Sequence, residues 1–174
     1  TGDSLSGAIA IDRLDVSDAT RLLAGPAALI SSADSLWPTG PLSFGVAQRR
    51  LEGAVEIAVS QLYAGERELA QSVKATVGWT ASETTLRRIE AVLGEGTLSG
   101  DVTLCCAGGA DSGQMRARLS LDRVPVGNLL PAGAATGIEG KVSGVLQVDG
   151  VGSSIGEVLR ALGGEGSFSV TGLS

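Results

Sequence analysis

Two adjacent cysteines, Cys105 and Cys106, are the residues of this chain whose type best fits redox or metal chemistry. Their Cα atoms lie about 3.8 Å apart, closer than disulfides normally allow. On a strand, neighbouring side chains also point to opposite faces. A bond between them is therefore not expected. By parity Cys106 joins the apolar Leu104 and Cys105 joins the polar side, so both read as packing. The chain contains no His, which removes the usual ligands and bases of zinc, haem and imidazole chemistry. A Ser nucleophile could call only on Lys74 or Lys141 as its base. The Gly-rich stretches 94–96, 108–113 and 163–166 lack Gly-x-Gly-x-x-Gly spacing, and Gly140-Lys141 is followed by Val142 where a P-loop needs a hydroxyl. They read as turns and bulges. The pairs Asp12-Arg13 and Asp122-Arg123 read as solvated charges near strand ends, since adjacent strand residues point apart. These residues predict no catalytic site, no metal and no cofactor.

The elements that hold them are announced by a short repeat. Leu5-Ser-Gly7-Ala-Ile9-Ala-Ile11, Leu51-Glu-Gly53-Ala-Val55-Glu-Ile57, Leu98-Ser-Gly100-Asp-Val102-Thr-Leu104 and Val142-Ser-Gly144-Val-Leu146-Gln-Val148 share one pattern of aliphatics around a glycine, and Gly164-Glu-Gly166-Ser-Phe168-Ser-Val170 is a looser fifth copy. Strand side chains alternate, so aliphatics and glycines fall on one face while Glu52, Glu56, Asp101, Thr103 and Gln147 fall on the other. Such half-buried strands predict an antiparallel sheet. Glu68 to Trp79 and Thr84 to Leu93 add two strands, the second because Gly94-Glu95-Gly96 leads like a hairpin into a repeat copy.

A second repeat joins strand to helix. Ile9-Ala-Ile11-Asp12-Arg13-Leu14-Asp-Val16 returns as Leu119-Ser-Leu121-Asp122-Arg123-Val124-Pro-Val126, each copy followed by a Leu pair. A short helix capped by Ser17 and closed by Gly25-Pro26 is expected after the first copy. Another is expected from Ser154, with Ile155, Val158, Leu159 and Leu162 on one stripe and Glu157 completing a capping box. Pro26 to Phe44 reads as an irregular surface segment.

Composition sets the outer limits. The 174 residues are 43% apolar and 3% aromatic, with 26 Gly and a net charge of -6. That is too apolar for disorder, and 13 basic against 19 acidic residues without a basic run leave no footing for nucleic acid. No 18-residue apolar run could span a membrane. The chain starts at Thr1 with no Met and no signal pattern, so residues 1–174 are expected to be a single segment of something longer, from which an anchor or signal would be missing.

The fold expected is mainly β: a curled antiparallel sheet of about eight to ten strands with two or three short helices. Two short helices cannot cover so many strands, so the apolar face either closes on itself as a sandwich or stays an open trough or groove that holds an aliphatic ligand. Ile9, Ile11, Val55, Ile57, Val102, Leu104, Leu146, Val148, Phe168 and Val170 form that face.

In order along the chain, Trp37-Pro-Thr-Gly-Pro41, Leu51-x-Gly-x-Val-x-Ile, Thr97-Leu-Ser-Gly100-Asp-Val-Thr-Leu104, residues 117–130, and the run of strand, turn, helix and Gly-rich strand from Gly140 to Val170 resemble the C-terminal region of the AsmA-like family of Gram-negative envelope proteins, which belongs with TamB-like and YhdP-like proteins. The resemblance covers essentially the whole chain and is most specific over 137–172. It implies a periplasmic location, an inner-membrane anchor outside this chain, and a part in outer-membrane biogenesis through phospholipid transport along an apolar β groove. The ten residues above would then face phospholipid acyl chains, and the sheet edges would meet the rest of the same chain. The vicinal cysteines depart from the family pattern. A scaffolding β module that binds other envelope proteins through its sheet edges is the alternative expectation.

Overall fold

The computed structural model describes residues 4–19, 52–80, 82–106, 112–130 and 139–173. The irregular segment 26–44, the Trp37 motif, the end of the first helix and most of the Gly108 stretch lie outside the described residues. Within them, the alternating segments become eight strands: β1 (Ser4–Asp15), β2 (Glu52–Ala64), β3 (Arg67–Trp79), β4 (Glu83–Leu93), β5 (Gly96–Cys106), β6 (Gly113–Pro125), β7 (Lys141–Gly152) and β8 (Gly163–Thr171). They lie side by side in chain order in one sheet. The sheet is open, since β1 and β8 occupy its two edges and do not pair with each other.

Seven strand-to-strand steps are made, and six are antiparallel as expected. The first is not: β1 pairs with β2 in parallel, Gly7 opposite Val55 and Ile9 opposite Ile57. The wholly antiparallel reading is thereby corrected. A parallel pair needs a long crossover, and residues 16–51 supply the length between the two strands. Alternation is the same in both kinds of pair, which is why the strand pattern carried no trace of the difference.

Among the described residues, three short helices complete the fold. The described part of α1 covers 16–19, α2 is Val126–Leu129 and α3 is Ile155–Arg160. The cap of α1 differs from expectation: Asp15, not Ser17, receives the orphan donors, its Oδ1 accepting from the Ser17 N–H at 2.8 Å and from the Ser17 hydroxyl at 2.6 Å. Its other oxygen accepts from Gly65 N–H at 2.9 Å, tying the end of β1 to the β2–β3 turn. The α2 turn has no side-chain N-cap. Instead Arg67, at the start of β3, donates to the carbonyls of Leu130 (2.5 Å), Gly127 (2.9 Å) and Asn128 (3.2 Å), satisfying carbonyls around the helix end. For α3 the capping box forms: Ser154 Oγ accepts from Glu157 N–H at 3.2 Å, while the Glu157 carboxylate reaches back one residue further, to the N–H and hydroxyl of Ser153 at 2.9 and 2.5 Å.

Two of the sheet's register shifts keep the aliphatic face in phase in β4 and β6. In β4, Leu86 and Ile89 are three residues apart yet oppose Val102 and Gly100, because the register shifts between them. In β6, Leu121 and Val124 do the same against Gly144 and Val142. Each slip contains a non-glycine residue in the left-handed region, Arg88 at φ 53° and Arg123 at φ 50°. Arg88 N–H goes to Asp101 Oδ1 at 3.0 Å and Arg123 N–H to Ser143 Oγ at 2.9 Å, so a side chain on the neighbouring strand replaces the ladder partner that a bulge removes.

Candidate functional site

The register builds one surface out of all eight strands. Gly7, Val55, Val77, Leu86, Val102, Ala117, Val148 and Gly164 are successive cross-strand partners from one edge to the other. Beside that row run Leu5, Gly53, Trp79, Thr84, Leu104, Met115 and Gly150. None of these residues carries a charge. Because the residues of a row are same-face neighbours, all ten candidates proposed from sequence fall on this one face: Ile9 pairs with Ile57, Ile11 with Val59, Leu146 with Gly166, Phe168 with Gly144 and Val170 with Val142. The structure adds Val77, Trp79, Leu86, Ala117 and Leu119, which the same alternation could have supplied.

Glycines on this face make room for aromatic rings. A Cβ at Gly53 would sit 2.5 Å from Trp79 Cζ2, and one at Gly144 2.7 Å from Phe168 Cδ1. Each ring lies across a strand glycine and covers the backbone it exposes. The same device seats α3, since a Cβ at Gly150 or Gly152 would come within 2.6 Å of the Val158 backbone. There the helix covers the face as expected, burying Ile155 and leaving Val158 with no exposure at all. Leu159 is only half-buried.

Coverage elsewhere is uneven. Leu104 is 4% exposed, whereas Ile9, Phe168 and Val170 are 49, 52 and 49% exposed. The other six candidates are half-buried. The expectation that every polar neighbour is more exposed than its aliphatic flank holds for Glu56, Asp101 and Gln147, is split at Thr103, which is half-buried like Val102 but more exposed than Leu104, and is overturned on β8, where all nine residues are exposed.

The opposite face is charged. Asp101, Arg118, Gln147 and Glu165 are successive partners there, and Arg118 donates to Gln147 Oε1 at 3.0 Å. Arg88 bridges Thr76 at 2.7 Å and Glu56 at 3.4 Å. At 71% side-chain exposure for both partners that ion pair contributes little. Two shallow depressions open on this polar face, one around Glu56, Lys74, Arg88 and Glu90 and the other around Asp101, Arg118, Gln147 and Glu165.

The reactive types stay apart. Among the described residues no three His, Cys, Asp or Glu side chains gather as metal ligands. Cys105 is half-buried at the end of β5, and the Cys106 side chain lies outside the described ones. Lys141 is held by Glu95 at 2.8 Å. Arg13 stacks on the Tyr63 ring at 3.8 Å, and Arg123 pairs with its neighbour Asp122 at 3.3 Å. Among the described residues three carboxyls titrate below their ordinary range: Asp15 through the Ser17 hydroxyl and N–H, Glu95 through Lys141, and Glu157 through the Ser153 hydroxyl and N–H. Each of these serves a cap or a surface pair. Among the described residues no helix is long and apolar enough to cross a membrane.

No family model matches this chain, and no curated protein or solved structure matches it either.

Proposed function

We propose that this chain is a periplasmic segment of an AsmA-like envelope protein and that its aliphatic sheet face carries phospholipid acyl chains between the inner and outer membranes. The observation that carries the reading is the uncharged row from Gly7 to Gly164, which crosses every strand and meets solvent at both edges. Eight strands spaced about 4.8 Å apart make that row roughly 34 Å long. An acyl chain spans half of a hydrocarbon core about 30 Å thick, so the row has length to spare. Affinity comes from buried methylenes, about 0.8 kcal/mol each. Head groups meet no cluster of Lys or Arg on that face among the described residues and are not selected. The residues that touch lipid are the exposed apolar side chains Ile9, Phe168 and Val170 and, between them, the half-buried Val55, Ile57, Val102, Leu146 and Val148. Anchoring to the inner membrane falls to a part of the protein other than these described residues, and the chain performs no catalytic step.

Native mass spectrometry with lipid extraction of the purified protein tests this. Phospholipid of mixed head group should accompany the wild type, and Phe168→Asp should lose it while the melting temperature holds, because the Phe168 side chain is half in solvent already. A folded wild type that takes up no lipid overturns the reading. The open edges would then favour the second reading, a scaffold that pairs with other envelope proteins through β1 or β8.

A further inference from the structure

Among the described residues, β8 is an edge strand with none of the usual protection. It is nine residues long, exposed throughout, contains no Pro or Lys, has a single charge at Glu165, and pairs within them on one side only, with β7. Natural edges are normally shortened, bulged or charged against association. We propose that this edge is an interface for a second copy of the chain, the two β8 strands pairing antiparallel about a two-fold axis at Ser167.

The strand is complementary to itself about that residue. With Ser167 opposite its own copy, Gly166 faces Phe168, Glu165 faces Ser169, Gly164 faces Val170 and Gly163 faces Thr171. Every bulky side chain on the aliphatic face thus meets a glycine. The same match holds between β7 and β8, where Phe168 faces Gly144 and Val148 faces Gly164. No like charges are opposed, since each Glu165 meets a serine. Both faces also continue without a switch, because residues of equal parity are paired. The other edge matches less well: pairing β1 with itself about Ala8 sets Gly7 against Ile9 but the bulky Leu5 against Ile11. Pairing β1 with itself about Ile9, which preserves the faces, sets Leu5 against Arg13, a side chain already stacked on Tyr63. A two-fold pairing closes after two copies, whereas β8 on β1 of the next copy would extend without limit. The inference is independent of the lipid reading.

Ser169 and Ser167 test both partner and register. Sedimentation equilibrium of the 174-residue chain should show a monomer–dimer equilibrium and no larger species. Ser169→Lys places a lysine opposite Glu165 twice per dimer and should tighten association, and Ser169→Glu should weaken it, with dissociation constants at least about tenfold apart. Circular dichroism checks that both variants fold. In a Cys105→Ser, Cys106→Ser background, Ser167→Cys should form a disulfide-linked dimer on oxidation and Thr171→Cys should not. A chain that stays monomeric, a dimer indifferent to charge at 169, assembly that grows beyond two copies, or equal crosslinking at 167 and 171 would each overturn the proposal.

Discussion

The strand-to-helix unit occurs twice, at 9–16 and 119–126, and the two copies sit among different neighbours. In both, a strand ends one residue before a valine that opens a helical turn, at Val16 and at Val126. That much is local. The first copy lies at the sheet edge and, among the described residues, pairs only with β2; Ile9 is 49% exposed and Leu14 half-buried. The second lies between β5 and β7, and Val124, the counterpart of Leu14, has no exposure. The arginines diverge too. Arg13 stays in register and stacks on Tyr63, while Arg123 takes a left-handed backbone in a bulge. Where Asp15 caps one turn, Pro125 offers the other nothing, and Arg67 from β3 holds that turn's carbonyls instead. An octet therefore sets the change from strand to helix, and its neighbours set burial and strain.

The largest effect that bears on this comparison is a cavity. Val124→Ala should lower the unfolding free energy by about 2 to 3 kcal/mol in urea titration, the range of a fully enclosed core truncation. The matched change Leu14→Ala should lower it by about 1 kcal/mol although it deletes more atoms. Equal losses would mean that the two copies share an environment. Next come the arginines, where opposite signs are expected. Arg123→Gly removes a Cβ from left-handed backbone and should stabilise by up to about 1 kcal/mol. Arg13→Gly forfeits the ring contact and places glycine inside a strand, a loss of about 1 kcal/mol.

Smallest is a pH effect confined to one copy. The Ser17 hydroxyl first, then the backbone N–H groups of Ser17 and Gly65, favour the charged form of Asp15 and hold its folded pKa below 3.8. Folding thus releases its proton more readily. The stabilisation is present in full above the unfolded value and fades as pH falls through the folded one. The protection of amides 16–19 from hydrogen exchange, taken relative to their intrinsic rate at each pH, should fall on acidification below about pH 4, protection at 126–129 should not follow it, and Asp15→Asn should remove the difference. Glu95 and Glu157, also lowered, add to the global acid sensitivity without distinguishing the two units.

Alternation made most of the sheet legible. It placed Val55, Val102, Leu146 and Phe168 on one face and Glu56, Asp101 and Gln147 on the other, and both hold. The hairpin at Gly94-Glu95 and the box at Ser154 and Glu157 were equally readable, because turn and cap chemistry is local. The bulges at Arg88 and Arg123 left a trace that is clear in retrospect: aliphatics spaced by three, Leu86 to Ile89 and Leu121 to Val124, inside runs otherwise spaced by two. The parallel β1–β2 pair left none, since strand direction depends on the path of the crossover and not on side-chain period. Nor could periodicity tell a covered face from an open one. Leu104 and Val170 occupy equivalent places in their repeats, yet one is enclosed and the other is not.

Photocrosslinking reads lipid bound to the aliphatic face directly. Phospholipid vesicles carrying a diazirine within the acyl chain are incubated with the protein, irradiated, and the adducts mapped by peptide mass spectrometry. Adducts should cluster on Ile9, Ile57, Val102, Leu146, Phe168 and Val170, residues of one face drawn from five strands, and Phe168→Asp should deplete them. Adducts on the polar-face depressions around Lys74 and Arg118, or none above an unrelated protein of similar size, would contradict the account.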